Sequence, residues 1–213
     1  MRGGERVLEI LCKGFPQAPI ITLISNPTVI SNTINTHIIK TSWLQNVPGI
    51  LTNYRAFLPF FPTAIESFTP VESDILISTS HCVAKGLRVH SRTKHLCYCF
   101  TPMRYAWIFQ KEYFSGKPCR GLLARPLLAA LRQWDRKTST RVDRFVAISQ
   151  HVKTRIKRFY NRDADVVYPP VDTKRLTPGS NSSGKFDLIV SALVPYKRID
   201  LAVRAYTQTK YAL

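Results

Sequence analysis

Apolar and polar positions along this 213-residue chain follow two rhythms, one helical and one extended. Behind Gly3-Gly4, the residues Val7, Leu8 and Leu11 recur at helical spacing, so a helix opens the sequence. A short apolar run from Pro19 to Ser25 reads as a strand. Residues 49–68 are apolar and aromatic but contain Pro59 and Pro62, which predicts helical turns interrupted by proline. Strand-like runs follow at Asp74–Thr79, His95–Phe100, Arg144–Ser149 and Asp165–Val171, each beside a helical pattern. The clearest helix is Ser149–Tyr160. Ser149 is a natural N-cap, Val152, Ile156 and Phe159 make one apolar stripe, and Lys153, Arg155, Lys157 and Arg158 fall on the other face.

This alternation predicts an α/β fold, a Rossmann-like, mostly parallel sheet with helices on both faces. The stretch Leu176–Gly184, rich in Ser, Gly and Pro, reads as a linker between residues 1–175 and a second unit at 185–213. That unit opens with a strand, Phe186–Leu193, and a helix, Arg198–Thr207. One strand and one helix cannot bury a core, so most of the second domain is expected to be missing. A glycine-rich turn into a helix ordinarily receives its chain from a buried strand, yet only Met1 and Arg2 precede Gly3. The first strand is therefore expected to be missing as well.

Composition narrows the class. The chain is 45% hydrophobic and its mean hydropathy is −0.09, values of soluble globular material. No apolar run reaches the roughly 20 residues of a spanning helix. Met1 sits directly against the first motif, which leaves no room for a signal peptide, so a cytoplasmic location is expected. Charge adds more. The net charge is +18, and residues 81–160 hold 18 Lys and Arg against the three acids Glu112, Asp135 and Asp143. Such an excess suits an anionic lipid surface, a nucleic acid or a phosphorylated substrate, or is simply a solvated basic face. Most aromatic residues fall at apolar-periodic positions, so no nucleic acid is expected as a partner. The five cysteines form no C-x-x-C pair; reduced thiols without zinc are expected, and Cys97 and Cys99 should share a buried strand face.

Three segments carry candidate chemistry. Gly3-Gly4-Glu5-Arg6 leads into a helix N-terminus, where bare N–H groups favour phosphate or sugar oxygens, although a plain turn explains two glycines as well. In His95–Trp107, a strand runs into a Thr-Pro turn that sets Arg104 at the carboxyl edge of the sheet. In Ser191–Asp200, Lys197 and Arg198 stand where a strand gives way to a helix; two cations there suit a diphosphate, or a solvated helix start.

The ordered set GGERVLEILC, APIITL, YRAFLPFFPTAIESF, SDILISTSHCVAKG, CYCFTPMRYAW, VDRFVAIS, VVYPPVD and SALVPYKRIDLAVRAY resembles the bacterial glycosyltransferase family 4 enzymes of the GT-B fold. The resemblance runs the length of the chain and covers about half of a typical two-domain member. It implies retaining transfer of a sugar from a nucleotide-sugar to a lipid-linked or polysaccharide acceptor, between two Rossmann-like domains. It also implies a setting in polysaccharide and cell-envelope synthesis, with a peripheral seat on the inner face of the membrane. Neither metal nor cofactor is implied, since the nucleotide-sugar is a co-substrate. By position, the resemblance puts Gly3 and Gly4 near donor phosphate and acceptor, Lys197 and Arg198 against the diphosphate, and Arg104 at the active-site edge. His81, after a strand, is taken as structural rather than catalytic.

Three departures stand out. Similar enzymes carry a donor-contacting His where this chain has Phe100, and an Asp where it has Ile108. The family's paired glutamates would fall beyond Leu213. Negligible transfer by this polypeptide alone is the resulting expectation. The alternative is a non-catalytic basic module that binds an anionic membrane surface or a partner protein.

Overall fold

The computed structural model describes residues 3–108, 118–174, 176, 186–191, 193 and 197–209. Helix α1 spans Gly3–Gly14 and leads to β1, Ile20–Thr22. Next come α2 (Asn32–Asn35), β2 (Ile39–Thr41), α3 (Ile50–Asn53) and α4 (Phe61–Glu66), with a 3-10 stretch over Tyr54–Phe60 that contains Pro59. Strands β3 (Ile75–Ser80) and β4 (Lys94–Cys99) precede α5 (Arg104–Trp107) and the long α6 (Pro118–Thr138). Then follow β5 (Arg144–Ala147), α7 (Gln150–Tyr160), β6 (Ala164–Val166) and α8 (Ile199–Thr209).

The four strands β3-β4-β5-β6 form one parallel sheet in that order, and β1 and β2 form a separate parallel pair. Among the described residues no strand joins the two. The register sets Cys97 opposite Ser78 on one side and Phe145 on the other. Both faces of the sheet are covered, as a parallel sheet requires. Cys97, Cys99, Phe145 and Ala147 point to one face and pack on Val152, Ile156 and Tyr160 of α7. Tyr98 and Val146 point to the other and pack on Val7 of α1. The expectation of a Rossmann-like α/β fold with helices on both faces is met. Cys97 and Cys99 share a face, both buried, and Cys12, Cys82, Cys97 and Cys99 are free thiols.

A second apolar cluster explains residues 49–68. Their broken turns place Ile50, Phe61, Ala64 and Ile65 against Met103 and Ala106 of the α5 region and Leu131 of α6. The prolines keep these turns short, and the irregular course lets one segment cover a corner that a straight helix would overshoot.

Two expectations need correction. The run Asp165–Val171 yields a strand only over Ala164–Val166, because its neighbour β5 ends at Ala147, opposite Val166, and Pro169 and Pro170 beyond have no N–H to extend a ladder. The described residues of 186–193 form no strand at all. Leu188 is 75% exposed and Val190 86%, and an apolar strand without a paired neighbour has nothing to hold it extended. The helix after it does form, as α8, with the Tyr206 hydroxyl donating to Asp187. The stretch read as a linker lies outside the described residues except for Leu176.

Candidate active site

The carboxyl edge of the four-stranded sheet gathers the chemistry. Beyond β4, the Phe100 N–H still donates to Ser80 O at 2.8 Å, carrying the ladder one residue further. Pro102 then ends it, and buried Met103 leads into α5, whose first residue is Arg104. On the same edge α1 begins. A β-carbon at Gly4 would stand 3.1 Å from Phe100 Cε2, an approach that only a residue without a side chain makes without displacing the ring. The ring stands edge-on to Tyr98, with centroids 5.7 Å apart.

Helix α7 reaches this edge from β5. Ser149 Oγ accepts the Val152 N–H at 3.2 Å, the cap that its sequence promised. One and a half turns on, Arg155 is half-buried and its Nη1 donates to Thr101 Oγ1 at 3.4 Å. Burial lowers the Arg155 pKa from its ordinary value, and the neighbouring Arg104 charge lowers it further. Two guanidinium groups that repel in this way gain from an anion set between them.

Sequence reasoning assigned Arg155 to the solvated face of its helix, and the structure turns it inward. A signal was present: position 155 lies three residues after Val152 and one before Ile156, on the border of the apolar stripe.

Behind α5 lies a buried polar network that sequence reasoning did not find. Lys85, 1% exposed, places Nζ 2.5 Å from Oδ1 of the fully buried Asp135, and donates to Thr138 Oγ1 at 3.1 Å. The other carboxylate oxygen of Asp135 accepts from Trp107 Nε1 and from the Tyr160 hydroxyl, both at 2.7 Å. Burial and the Asp135 charge hold the Tyr160 pKa well above its ordinary value, so the hydroxyl keeps the proton it donates. The same two causes push the Cys82 thiol up to about 12.

Trp107 stacks on Phe159 with centroids 4.8 Å apart and lies under the guanidinium groups of Arg132 and Arg136. A shallow groove runs over it, rimmed by Arg132, Gln133, Arg136 and Lys137.

The residues singled out in the sequence divide between two places. Gly3, Gly4, Phe100 and Arg104 come to one sheet edge. His81, exposed, follows β3 at that edge, and Ile108 closes α5. Lys197 and Arg198 stand elsewhere in the chain, at the entry to α8. Arg198 adopts a left-handed backbone, φ 50°, and forks onto Asp200 with two bonds of 3.1 Å. An arginine in that region carries strain of about 1 kcal/mol or more, which the fork to Asp200 offsets in part.

The sequence model of Glycosyltransferase Family 4 matches residues 1–175. Comparison with curated proteins and with solved structures returned no match. The family match spans both sheets and every element that builds the Gly4, Phe100 and Arg104 edge. This chain belongs to glycosyltransferase family 4.

Proposed function

We propose that the carboxyl edge of the sheet is the acceptor-side wall of a sugar-transfer site. It serves retaining transfer from a nucleotide-sugar to a lipid-linked or glycan acceptor. The observation that carries this reading is the convergence on one edge of the α1 N-terminus at Gly3 and Gly4 with the mutually repelling pair Arg104 and Arg155. In such a transfer, negative charge grows on the departing diphosphate. Helix N–H groups and fixed cations stabilise that charge most where water is excluded. Lys197 and Arg198 are proposed for the donor diphosphate, with Arg198 exchanging its fork on Asp200 for phosphate oxygens. Phe100 offers no hydrogen bond to the donor sugar and Ile108 no carboxylate, so the proposed transfer by the wild-type chain is negligible and the Phe100→His protein is the form in which it is read.

The test incubates the protein with a panel of nucleotide-sugars and a lipid-phosphate acceptor and reads the product's anomeric configuration by NMR. Retained configuration, with turnover falling about 10²-fold or more in Arg104→Ala, is the expected result. An inverted product, or no transfer by either the wild-type chain or Phe100→His, overturns the reading.

A second reading has its own observation. The groove over Trp107 pairs an aromatic floor with a rim of Arg132, Arg136 and Lys137, an arrangement that suits an anionic membrane surface. Flotation with anionic and neutral vesicles tests it; equal binding to both overturns it.

A further inference from the structure

Helix α5 has four residues, too few to maintain its own geometry. What holds it is α6. Arg132 Nε donates to Ala106 O at 2.8 Å, and one turn later Asp135 accepts the Trp107 indole N–H at 2.7 Å. A single face of α6 therefore grips the far half of α5, whose first residue is Arg104.

Asp135 is suited to that grip because all its neighbours point at it. Lys85 neutralises one oxygen, Thr138 takes a second Lys85 proton, and Tyr160 shares the oxygen that receives Trp107. A carboxylate so surrounded has one position to occupy, and a bond to it transmits that position. From Lys85 and Asp135, this chain of contacts reaches α5 through Trp107.

We infer that Asp135, seated on Lys85 and aided by Arg132, is a positioning residue that sets where Arg104 stands at the carboxyl edge. This rests on reading that edge as the transfer site. It adds a role for a buried ion pair 50 residues apart in sequence that otherwise serves only packing.

The test compares two small excisions from the same carboxylate. Trp107→Phe keeps a ring on Phe159 and removes the indole N–H on the α5 side together with part of the stacked ring. Tyr160→Phe removes only the hydroxyl on the α7 side. Both should lower the melting temperature, Trp107→Phe the more because it also leaves the space of the lost ring. Trp107→Phe should also lower kcat about tenfold at unchanged donor KM, while Tyr160→Phe stays within about twofold of wild type. Equal changes in kcat, or none in either, overturn the inference.

A second readout does not need turnover. Amide hydrogen exchange at Ala106 and Ile108, whose N–H groups bond back to Met103 and Arg104, should quicken about tenfold in Trp107→Phe and hold its wild-type rate in Tyr160→Phe. Unchanged exchange in Trp107→Phe overturns the positioning role even where no donor is turned over. Changed exchange without turnover instead sinks the transferase reading alone. If Trp107→Phe does not fold, Arg132→Gln, which unties the Ala106 carbonyl and takes the guanidinium off the Trp107 ring, makes the comparison against Tyr160→Phe.

Discussion

Gly86 lies against the edge of the Trp134 indole so closely that a β-carbon at 86 would stand 2.5 Å from both Cη2 and Cζ2. The indole cannot retreat. Its Nε1 donates to Glu66 at 3.1 Å, and Lys85 Nζ sits 5.4 Å over its ring. On the other side, Arg141 Nη1 holds the Gly86 carbonyl at 2.6 Å. Gly86→Ala should therefore overpack this corner and cost about 1–3 kcal/mol, seen as a lower urea midpoint with an unchanged slope. A midpoint equal to wild type would show that the corner yields.

His95 makes stability depend on pH. The Arg141 carbonyl, 3.2 Å from Nδ1, can only accept, so Nδ1 carries the hydrogen and the bare Nε2 accepts the Ser78 hydroxyl at 2.8 Å. Burial, opposed by the Arg141 carbonyl and Asp143 and aided by the Lys85 charge, lowers its pKa from 6.5 to about 4. Between those values the unfolded chain binds a proton that the native imidazole refuses. This contribution is complete above about pH 6.5 and is lost as pH falls toward 4, to the extent of about 3 kcal/mol. Urea melts from pH 7.5 to 4.5 should show the decline, and His95→Gln should flatten it. Parallel curves for the two proteins would discount His95.

Lys85→Met leaves the Asp135 carboxylate buried without its counter-charge. A loss of about 3–5 kcal/mol is expected, larger than for removal of any one hydrogen bond to Asp135. Calorimetric comparison with Tyr160→Phe checks the order. A Lys85→Met protein as stable as Tyr160→Phe would mean that the carboxylate finds water or a proton.

Phe100→His restores a hydrogen-bonding ring at the end of β4. Turnover should rise by roughly 10²–10³ if that contact meets charge developing in the transition state. The measurement is initial rate at saturating donor. A rate unchanged from wild type would show that residue 100 does not limit the reaction.

What could be seen in the sequence was mostly local. The Ser149 cap and the Val152, Ile156 and Phe159 stripe were legible because each contact spans at most one helical turn. The alternation of strands and helices likewise announced a sheet covered on both faces. The Lys85 and Asp135 pair was not legible, because nothing near Lys85 in sequence marks it as buried and its partner arrives from another helix. The inward turn of Arg155 was hidden by the three exposed cations around it on α7. Phe186–Leu193 has a strand's composition, but strands are made by neighbours, and periodicity cannot show whether one is present. At the edge, Arg104 and the glycines were found by motif, whereas the Gly4 to Phe100 contact joins elements nearly a hundred residues apart.

That contact makes positions 4 and 100 a single volume shared by two side chains, of which one has been given everything. The two sites will not tolerate change independently. Gly4→Ala alone must push the phenyl ring aside, whereas in the Phe100→His background a smaller ring leaves the methyl some room. The energetic penalties of the two substitutions should therefore sum to more than the penalty of both together. Among relatives of this chain, bulk admitted at one of the two positions would have to be surrendered at the other.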